Sequence, residues 1–438
     1  MLQEFKNHIK SHFSFLEDSN ILIAISGGID SVVLAHLAHQ LKLNFSLCHC
    51  NFQLRDEESD EDETFVKALG KQLNVEVFTT SFETEKYAEK HKLSIQVAAR
   101  ELRYHWFYQL IEEGAYNYVL TAHNSNDNLE TFIINLTRGT GLEGLTGIPP
   151  INDKTARPLL KFSRDQIQLF AIKNNISWRE DRSNANIKYV RNKVRHKIIP
   201  VLKEINPHIL ESFQKTLEYL NESQSIVHDK VQEVSSSLLA VENDMITMSI
   251  PQLNKLANKK AYLYQILYPY GFTEWNDVMD LVSAQSGKKV FSKTHRLLKD
   301  REKLILTQID NKTTTKSSYL IKSGVQKIST PIHLTLSETN LKETENQHSI
   351  TVNKDLLKFP LKVRKWGYGD YICPIGMKGS KKLSQLFKDR KLSLIDKEKV
   401  WLLTDAEDNI IWVIGMRQDR RFVGSENTKN LLKITQKS

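Results

Sequence analysis

"ILIAISGGIDSVVLAHL" (residues 21–37) decides the fold: an aliphatic run ends abruptly in Ser26-Gly27-Gly28, and Asp30 and Ser31 then open a second apolar stretch. Residues 21–26 are short, continuous and rich in β-branched side chains, the pattern of a buried strand. Residues 30–43 place Val33, Leu34, Leu37 and Leu41 on one face of a helix. A glycine-rich turn from strand to helix is an anion site, because successive N–H groups form a concave nest and the helix N-terminus adds partial positive charge. Ser26 and Ser31 can add hydroxyl donors. A carboxylate at Asp30 repels phosphate unless a cation lies between them, so the stretch implies Mg2+. The bland alternative is an ordinary glycine turn with a helix-start acid. SGGIDS directly after a buried strand disfavours it. No lysine follows as in GxxxxGK[ST], and GxGxxG is absent at this turn.

Outward from this turn, strand and helix alternate with short links. "NFSLCHC" (44–50), "VEVFTTSF" (75–82) and "NYVLTAH" (117–123) read as strands. Residues 56–73, 94–114 and 126–139 read as helices, the first opening on the acidic run "DEESDEDE", which suits the macrodipole. This is the pattern of an α/β fold with a doubly wound, mostly parallel sheet. Ligands bind such sheets beyond the carboxyl ends of the strands, where Ser26 and His123 both fall. Residues 208–240 are amphipathic and helical. Residues 311–347 are polar and read as loops and edge strands leading to a small C-terminal unit, with strands at "LKVRKW", "VWLLTD" and "IIWVIG". The expected division is 1–207 for the nucleotide-binding catalytic domain, 208–350 for a mainly helical middle domain and linker, and 351–438 for a basic, α/β or β-rich C-terminal domain.

The chain has 438 residues, 40% of them hydrophobic, enough for more than one packed core. It has no apolar run of about 18 residues, and its N-terminus lacks a signal-peptide core. Three cysteines make no disulfide framework. These features predict a cytoplasmic protein that spans no membrane; a homodimer is left open. Net charge is +9, unevenly spread: residues 351–438 hold 19 Lys and Arg against 10 Asp and Glu, and residues 157–207 hold 12 against 4. Two basic segments beside a nucleotide-type turn point to nucleic acid.

SGGxDS resembles the signature of the PP-loop, or N-type ATP pyrophosphatase, superfamily, whose members split ATP between the α and β phosphates and adenylate a carbonyl oxygen. Within it, "TAHNSNDNLETFIINLTRGTGLEGLTGIPP" (121–150) resembles the HHxDDQxET…RGxGxxGLxG pattern of the tRNA(Ile)-lysidine synthetase family. His123, Asp127, Glu130, Thr131, Arg138, Gly139 and Gly141 match; Asn124, Asn126 and Asn128 stand where the family usually has His, Asp and Gln. "HCNFQLRDEESDEDE", "VAARELRYHWF", "RPLL", "WREDRSNANIKYVRNKVRHKIIPVLKEINP" and a long stretch from Lys362 carry further likeness, over about 20–220 and 350–425.

The resemblance implies ATP-dependent attachment of L-lysine to C2 of the wobble cytidine in the CAU-anticodon tRNA(Ile), through an adenylated cytidine. It implies an ATP site at Ser26, Gly27, Gly28, Ile29, Asp30, Ser31 and His123, with Asp30 on Mg2+. Asp30, Asp127, Glu130 and Arg100 are the catalytic candidates. Asp127 and Glu130 lie one helical turn apart, for ammonium recognition, a metal contact or base duty; Arg100 or Arg103 is placed to stabilise pyrophosphate. Arg182, Arg191, Arg195, Lys381 and Lys382 are the candidates for tRNA contact. Two rivals remain at this stage, a PP-loop tRNA thiolase and a non-catalytic RNA-binding protein. The thiolase needs reactive cysteines, and the chain has no C-x-x-C.

Overall fold

A computed structural model describes residues 1–54, 57–114, 116–180, 190–242, 245–309, 318–339, 348–424 and 428–437. The chain forms two compact units, Met1–Asp229 and Lys230–Ser438.

The first unit runs α1 (Leu2–His12), β1 (Ile21–Ala24), α2 (Ile29–Gln40), β2 (Phe45–Asn51), α3 (Glu57–Leu73), β3 (Val77–Ser81), α4 (Thr84–His91), α5 (Ile95–Glu113), β4 (Tyr118–Leu120), α6 (Ser125–Arg138), α7 (Leu142–Leu145), β5 (Ile151–Asn152), β6 (Thr155–Ala156) and α8 (Arg164–Lys173). Beyond residue 189 follow α9 (Val190–Lys193), a π-helical turn (Val194–Ile198), α10 (Ile199–Ile205) and the long α11 (Ile209–Leu238). The sheet order is β3-β2-β1-β4-β6-β5, parallel except at the β5–β6 edge. The chain winds outward from β1 to β3 and then crosses to β4 on the other side of β1. Its topological switch point therefore lies between the carboxyl ends of β1 and β4, where open α/β sheets bind ligands.

Burial explains the element types. Ile21, Leu22 and Ile23 of β1 are fully buried, as a central strand covered on both faces requires. Helix α2 is apolar nearly all round, with Ile29, Val32, Val33, Leu34, Ala35, Leu37 and Ala38 buried between the sheet, α1 and α8. Burying each of its large aliphatic side chains is worth about 1.5–3 kcal/mol, which fixes the start of α2 against β1. Side chains set the entries of the neighbouring helices: Asn124 forms a capping box with Asp127 at α6, and Ser163 forms one with Gln166 at α8.

The second unit continues with β7 (Leu239–Glu242), β8 (Met245–Ser249), α12 (Ile250–Asn254), α13 (Lys259–Leu267), α14 (Trp275–Ser283), β9 (Lys289–Phe291), β10 (His295–Asp300) and β11 (Lys303–Gln308). Its first five-stranded sheet, β7-β8-β11-β10-β9, is antiparallel and packs Leu297, Leu304 and Leu306 against the helices through Leu253, Leu263, Leu267 and Val278. Next come β12 (Ser318–Ile321), β13 (Lys327–Ile328), β14 (Leu334–Thr339), β15 (Ser349–Asn353), β16 (Leu361–Lys365), β17 (Tyr371–Ile372), β18 (Lys381–Lys382), α15 (Leu383–Asp389), α16 (Leu394–Lys399), β19 (Trp401–Thr404), β20 (Ile410–Val413), β21 (Arg417–Gln418) and β22 (Leu431–Gln436). The three strands expected from "LKVRKW", "VWLLTD" and "IIWVIG" are β16, β19 and β20. A boundary at residue 351 would cut β15, which pairs with β22; β12 likewise pairs with β16 and β14 with β22. The C-terminal sheets thus begin by Ser318, because strands from before residue 351 complete sheets whose other strands come after residue 360.

Candidate active site at the sheet switch point

The turn from β1 to α2 has the form its sequence predicts. Gly27 adopts φ +85°, a left-handed conformation that costs any other L-residue strain. Gly28 is the N-cap of α2 and no side chain caps the helix, so its first N–H groups are open to an anion. The two serines are committed to the turn itself. Buried Ser31 Oγ donates to Gly28 O (2.9 Å) and accepts from Ser26 N (3.2 Å), while Ser26 Oγ accepts from Gly28 N (3.3 Å). Their hydroxyls thus shape the nest, and the backbone supplies most of its donors.

Asp30 sits at the first turn of α2, half-buried, in an ion pair with Arg164 at the start of α8. Its Oδ1 is buried and meets no donor at hydrogen-bonding geometry. Burial pushes the Asp30 carboxyl above the ordinary carboxylate value; Arg164 pulls it back, Asp127 adds to the rise, and Asn124 favours the charged form.

Asp127 and Glu130 project from the start of α6 into a cluster with Arg191 and Arg195. Glu130 is fully buried; its Oε2 accepts from Arg191 Nε and its Oε1 from Arg195 Nε, both at 2.6 Å. Asp127 Oδ1 accepts from Nη2 of both arginines at 3.2 Å, and its Oδ2 accepts from Asn124 N at 3.0 Å. All four carboxylate oxygens therefore already receive an N–H. The structure brings together two pairs that sequence kept apart, the catalytic candidates Asp127 and Glu130 and the tRNA candidates Arg191 and Arg195.

His123, three residues past β4, is partly exposed, with Nδ1 2.9 Å from Thr121 Oγ1. Burial pushes its imidazole down to about 4; Asp127 opposes this, while Arg157, Arg191 and Arg100 reinforce it. His123 is neutral at physiological pH, within electrostatic reach of Arg157, Arg191 and Arg100. Arg100 lies on the exposed face of α5 with its guanidinium over the Tyr104 ring, 4.8 Å from the centroid. Arg157 is buried just past β6; its Nη1 donates to Pro149 O (2.8 Å), its Nε has no partner, and no carboxylate pairs with it among the described residues.

The three departures at Asn124, Asn126 and Asn128 have structural work. Asn124 caps α6, Asn126 Oδ1 accepts from Arg164 N (3.0 Å), and Asn128 Oδ1 accepts from Ile148 N (2.7 Å). Sequence reasoning missed Arg157 and Arg164 as site residues. Arg179, in a basic segment expected to meet nucleic acid, also serves the turn: its backbone N–H bonds Gly27 O (2.9 Å) and its side chain pairs with Glu61 and Asp62. The signal for Arg157 was its place in "RPLL" directly after a short strand; Arg164 had none beyond its position in a basic segment. Arg182 lies outside the described residues. Lys381 and Lys382 stand on β18 of the second unit, Lys381 paired with Asp389 and Lys382 exposed.

The cysteines offer no ready nucleophile. Cys48 is buried and its thiol is pushed well up by burial, with Cys50 adding; burial pushes Cys50 up to about 12 against a small pull from Arg103. Among the described residues, no helix is long and apolar enough to cross a membrane.

Comparison with known proteins agrees with this geometry. The PP-loop domain profile matches residues 1–202, the TilS substrate binding domain profile 241–309, and the TilS substrate C-terminal domain profile 361–434. A tRNA(Ile)-lysidine synthase of Parabacteroides distasonis is 36% identical over 99% of both chains. That of Bacteroides thetaiotaomicron is 34% identical over 98% of both, and that of Porphyromonas gingivalis strain W83 is 36% identical over 93% of this chain and 92% of its own. An SGGxDS turn at the switch point of a parallel sheet, in a chain similar to these relatives from end to end, belongs to the tRNA(Ile)-lysidine synthase family.

Proposed function

We propose that this chain makes lysidine: it uses ATP to adenylate the C2 oxygen of the wobble cytidine in the CAU-anticodon tRNA(Ile), and the ε-amine of L-lysine then displaces AMP. The full-length likeness, 36% identity over 99% of both chains, carries this reading. The geometry supplies its chemistry. The C2 oxygen of cytosine is a poor leaving group, and adenylation turns it into AMP. Charge then develops on pyrophosphate, which the uncapped amides of α2 are oriented to receive.

Asp30 fits a divalent cation, since its Oδ1 is buried without a donor and a second carboxylate, Asp127, stands close enough to raise its pKa. Mg2+ is commonly held by one or two carboxylates together with substrate phosphates. Asp30, backed by Asp127, would hold it, and there it would neutralise charge on the departing pyrophosphate. Asp127 and Glu130 act chiefly by fixing Arg191 and Arg195 beside the turn. His123 adds a neutral ring within reach of Asp127 and Arg191, and Arg100 adds positive charge from α5.

Lysine's amine has a free pKa of about 10.4 and must lose a proton before it attacks. No oxygen of Asp127 or Glu130 is without a donor, so neither serves as a strong base. Turnover at limiting lysine should therefore rise about tenfold per pH unit from pH 7 to 9; a plateau across that range would assign a protein base. The decisive assay is mass spectrometry of nucleosides after the protein meets ATP, isotopically labelled lysine and a CAU-anticodon tRNA. Labelled lysidine is expected, and its absence from a folded, ATP-binding protein would defeat the proposal. ATP–pyrophosphate exchange stimulated by tRNA separates catalysis from mere RNA binding.

A further inference from the structure

The carboxylate that the reaction needs for a metal is held by a guanidinium. Arg164 pairs with Asp30 Oδ2, while Oδ1 of the same carboxylate has no donor at hydrogen-bonding geometry. A well-made arginine–carboxylate pair is bidentate and uses both oxygens. This one uses a single oxygen and leaves the buried one open, which suits a counterion that can be exchanged.

The base of Arg164 is fixed and its tip reaches partly exposed ground. Its backbone N–H bonds Asn126 Oδ1 at 3.0 Å, at the start of α6. The capping box of Ser163 and Gln166 closes α8 around it. One face of α8, through Ile167, Phe170 and Ala171, belongs to the same core as α2. The side chain is 43% exposed against 25% for Asp30. Helices α2, α6 and α8 thus set a long, partly exposed cation beside the anion-binding turn with its root held. A half-buried carboxylate without any counterion would be costly next to this turn, and the arginine removes that cost in the absence of ligand.

We propose that Arg164 is a resident stand-in for the divalent cation: it neutralises Asp30 while the turn is empty and yields the carboxylate when Mg2+ enters with ATP. The inference rests on the metal role proposed above for Asp30. Metal without nucleotide must displace the guanidinium unaided, so it binds weakly. Metal arriving with a triphosphate supplies the displaced guanidinium with a new anion, so exchange is favourable only when both come together. Arg164 is a positioning residue in this scheme, one that orders the entry of metal and nucleotide.

Direct titration of Mn2+ into the nucleotide-free, full-length protein at pH 8 tests this by calorimetry or by electron paramagnetic resonance of the free ion. Arg164→Met keeps the aliphatic stem and removes the charge; it should bind Mn2+ about three- to tenfold more tightly than the wild type. Arg164→Lys keeps a cation and should stay within about twofold of the wild type. Adding Asp30→Asn to Arg164→Met should abolish the gain. If Arg164→Met binds no more tightly while Asp30→Asn still removes Mn2+ binding, the metal role of Asp30 stands and the stand-in role of Arg164 is overturned. A gain that survives Asp30→Asn overturns both, because the metal then sits elsewhere.

Discussion

The two basic segments, 157–207 and 351–438, look alike in sequence and differ in what their charges do. In the first, guanidinium groups turn inward onto carboxylates of the nucleotide-binding unit: Arg164 onto Asp30, Arg179 onto Glu61 and Asp62, and Arg191 and Arg195 onto Asp127 and buried Glu130. In the second, the arginines also turn onto carboxylates, Arg364 onto Asp370 and Arg421 onto buried Asp419, while lysines make the exposed pairs, Lys358 with Glu407 and Lys354 with Glu338. A buried pair resists separation because losing one member strands a charge in a poor solvent, whereas an exposed pair exchanges with phosphate at little cost. A surplus of arginine in a sequence is thus a measure of binding only after its internal carboxylates are subtracted. The arginines of the first segment are mainly committed to internal carboxylates, and in the second it is exposed lysines such as Lys378, Lys382 and Lys391 that present available charge.

The sharpest break in that comparison is the double substitution Arg191→Ala/Arg195→Ala. It leaves Glu130 fully buried without either guanidinium, which should destabilise the first unit by about 3–5 kcal/mol in denaturant titration. Adding Glu130→Gln should restore much of the loss, since the stranded charge is removed with its partners. A double variant as stable as the wild type would show that the cluster is not a buried-charge device. Next in size is Asp30→Ala. It should lower ATP–pyrophosphate exchange by about a hundredfold or more and leave tRNA affinity nearly unchanged; unaltered exchange would remove Asp30 from the chemistry.

A smaller effect separates the turn's conformation from its charge. Gly27→Ala keeps every charge but forces an alanine to φ +85°. The strain is about 1–2 kcal/mol, enough to weaken ATP binding measurably while the core of the unit stays folded. There is space for the added methyl, with Phe65 Cδ1 at 3.6 Å, so a loss of ATP affinity would report backbone geometry and not a clash. His123 gives a pH readout of the same site. Its folded-state pKa lies near 4, below its ordinary value of 6.5, so between those values the unfolded chain binds a proton that the folded chain refuses. Wild-type stability should therefore fall as pH drops from about 6.5 to 4, and His123→Gln should flatten part of that fall. His8, also pushed down to about 4 by burial, remains as a background slope common to both proteins.

Much of the first unit was legible because its signals are local. A short aliphatic run marked β1, the SGGIDS turn announced its own glycine conformation, and Ser94 and Gly114 bracket α5 as their residue types predict. The site was legible only in halves. Asp127 and Glu130 are neighbours on one helix, but their partners lie more than sixty residues further on, and no spacing rule reports an ion pair across that distance. The same holds for Asp30 and Arg164, separated by 134 residues. Strands β7 to β11 were obscure for another reason: they are short and partly polar, and β10 and β11 bury neighbouring residues on both faces, Leu297 with Leu298 and Leu304 to Leu306, so no alternation marks them. The C-terminal boundary was misplaced because β12 to β15 are completed by strands from after residue 360, which only pairing reveals.

The smallest expected effect tests the other side of the comparison. Lys381 and Lys382 sit on β18, the first sharing its charge with Asp389 and the second exposed. If this surface holds tRNA through phosphates, Lys381→Ala/Lys382→Ala should weaken binding by less than about 1 kcal/mol per lysine, with fold and ATP–pyrophosphate exchange at saturating tRNA preserved. The more telling quantity is the dependence of affinity on salt. Every phosphate that the protein no longer neutralises keeps its counterion, so the slope of log K against log salt should become shallower by about one to two in all. The same measurement on Arg191→Met should show little change in slope, because that charge is already neutralised by Asp127 and Glu130. Equal slopes for the wild type and the lysine pair would mean that β18 carries no phosphate, and the surplus charge of the second segment would then need another owner among Lys378, Arg417 and Arg420.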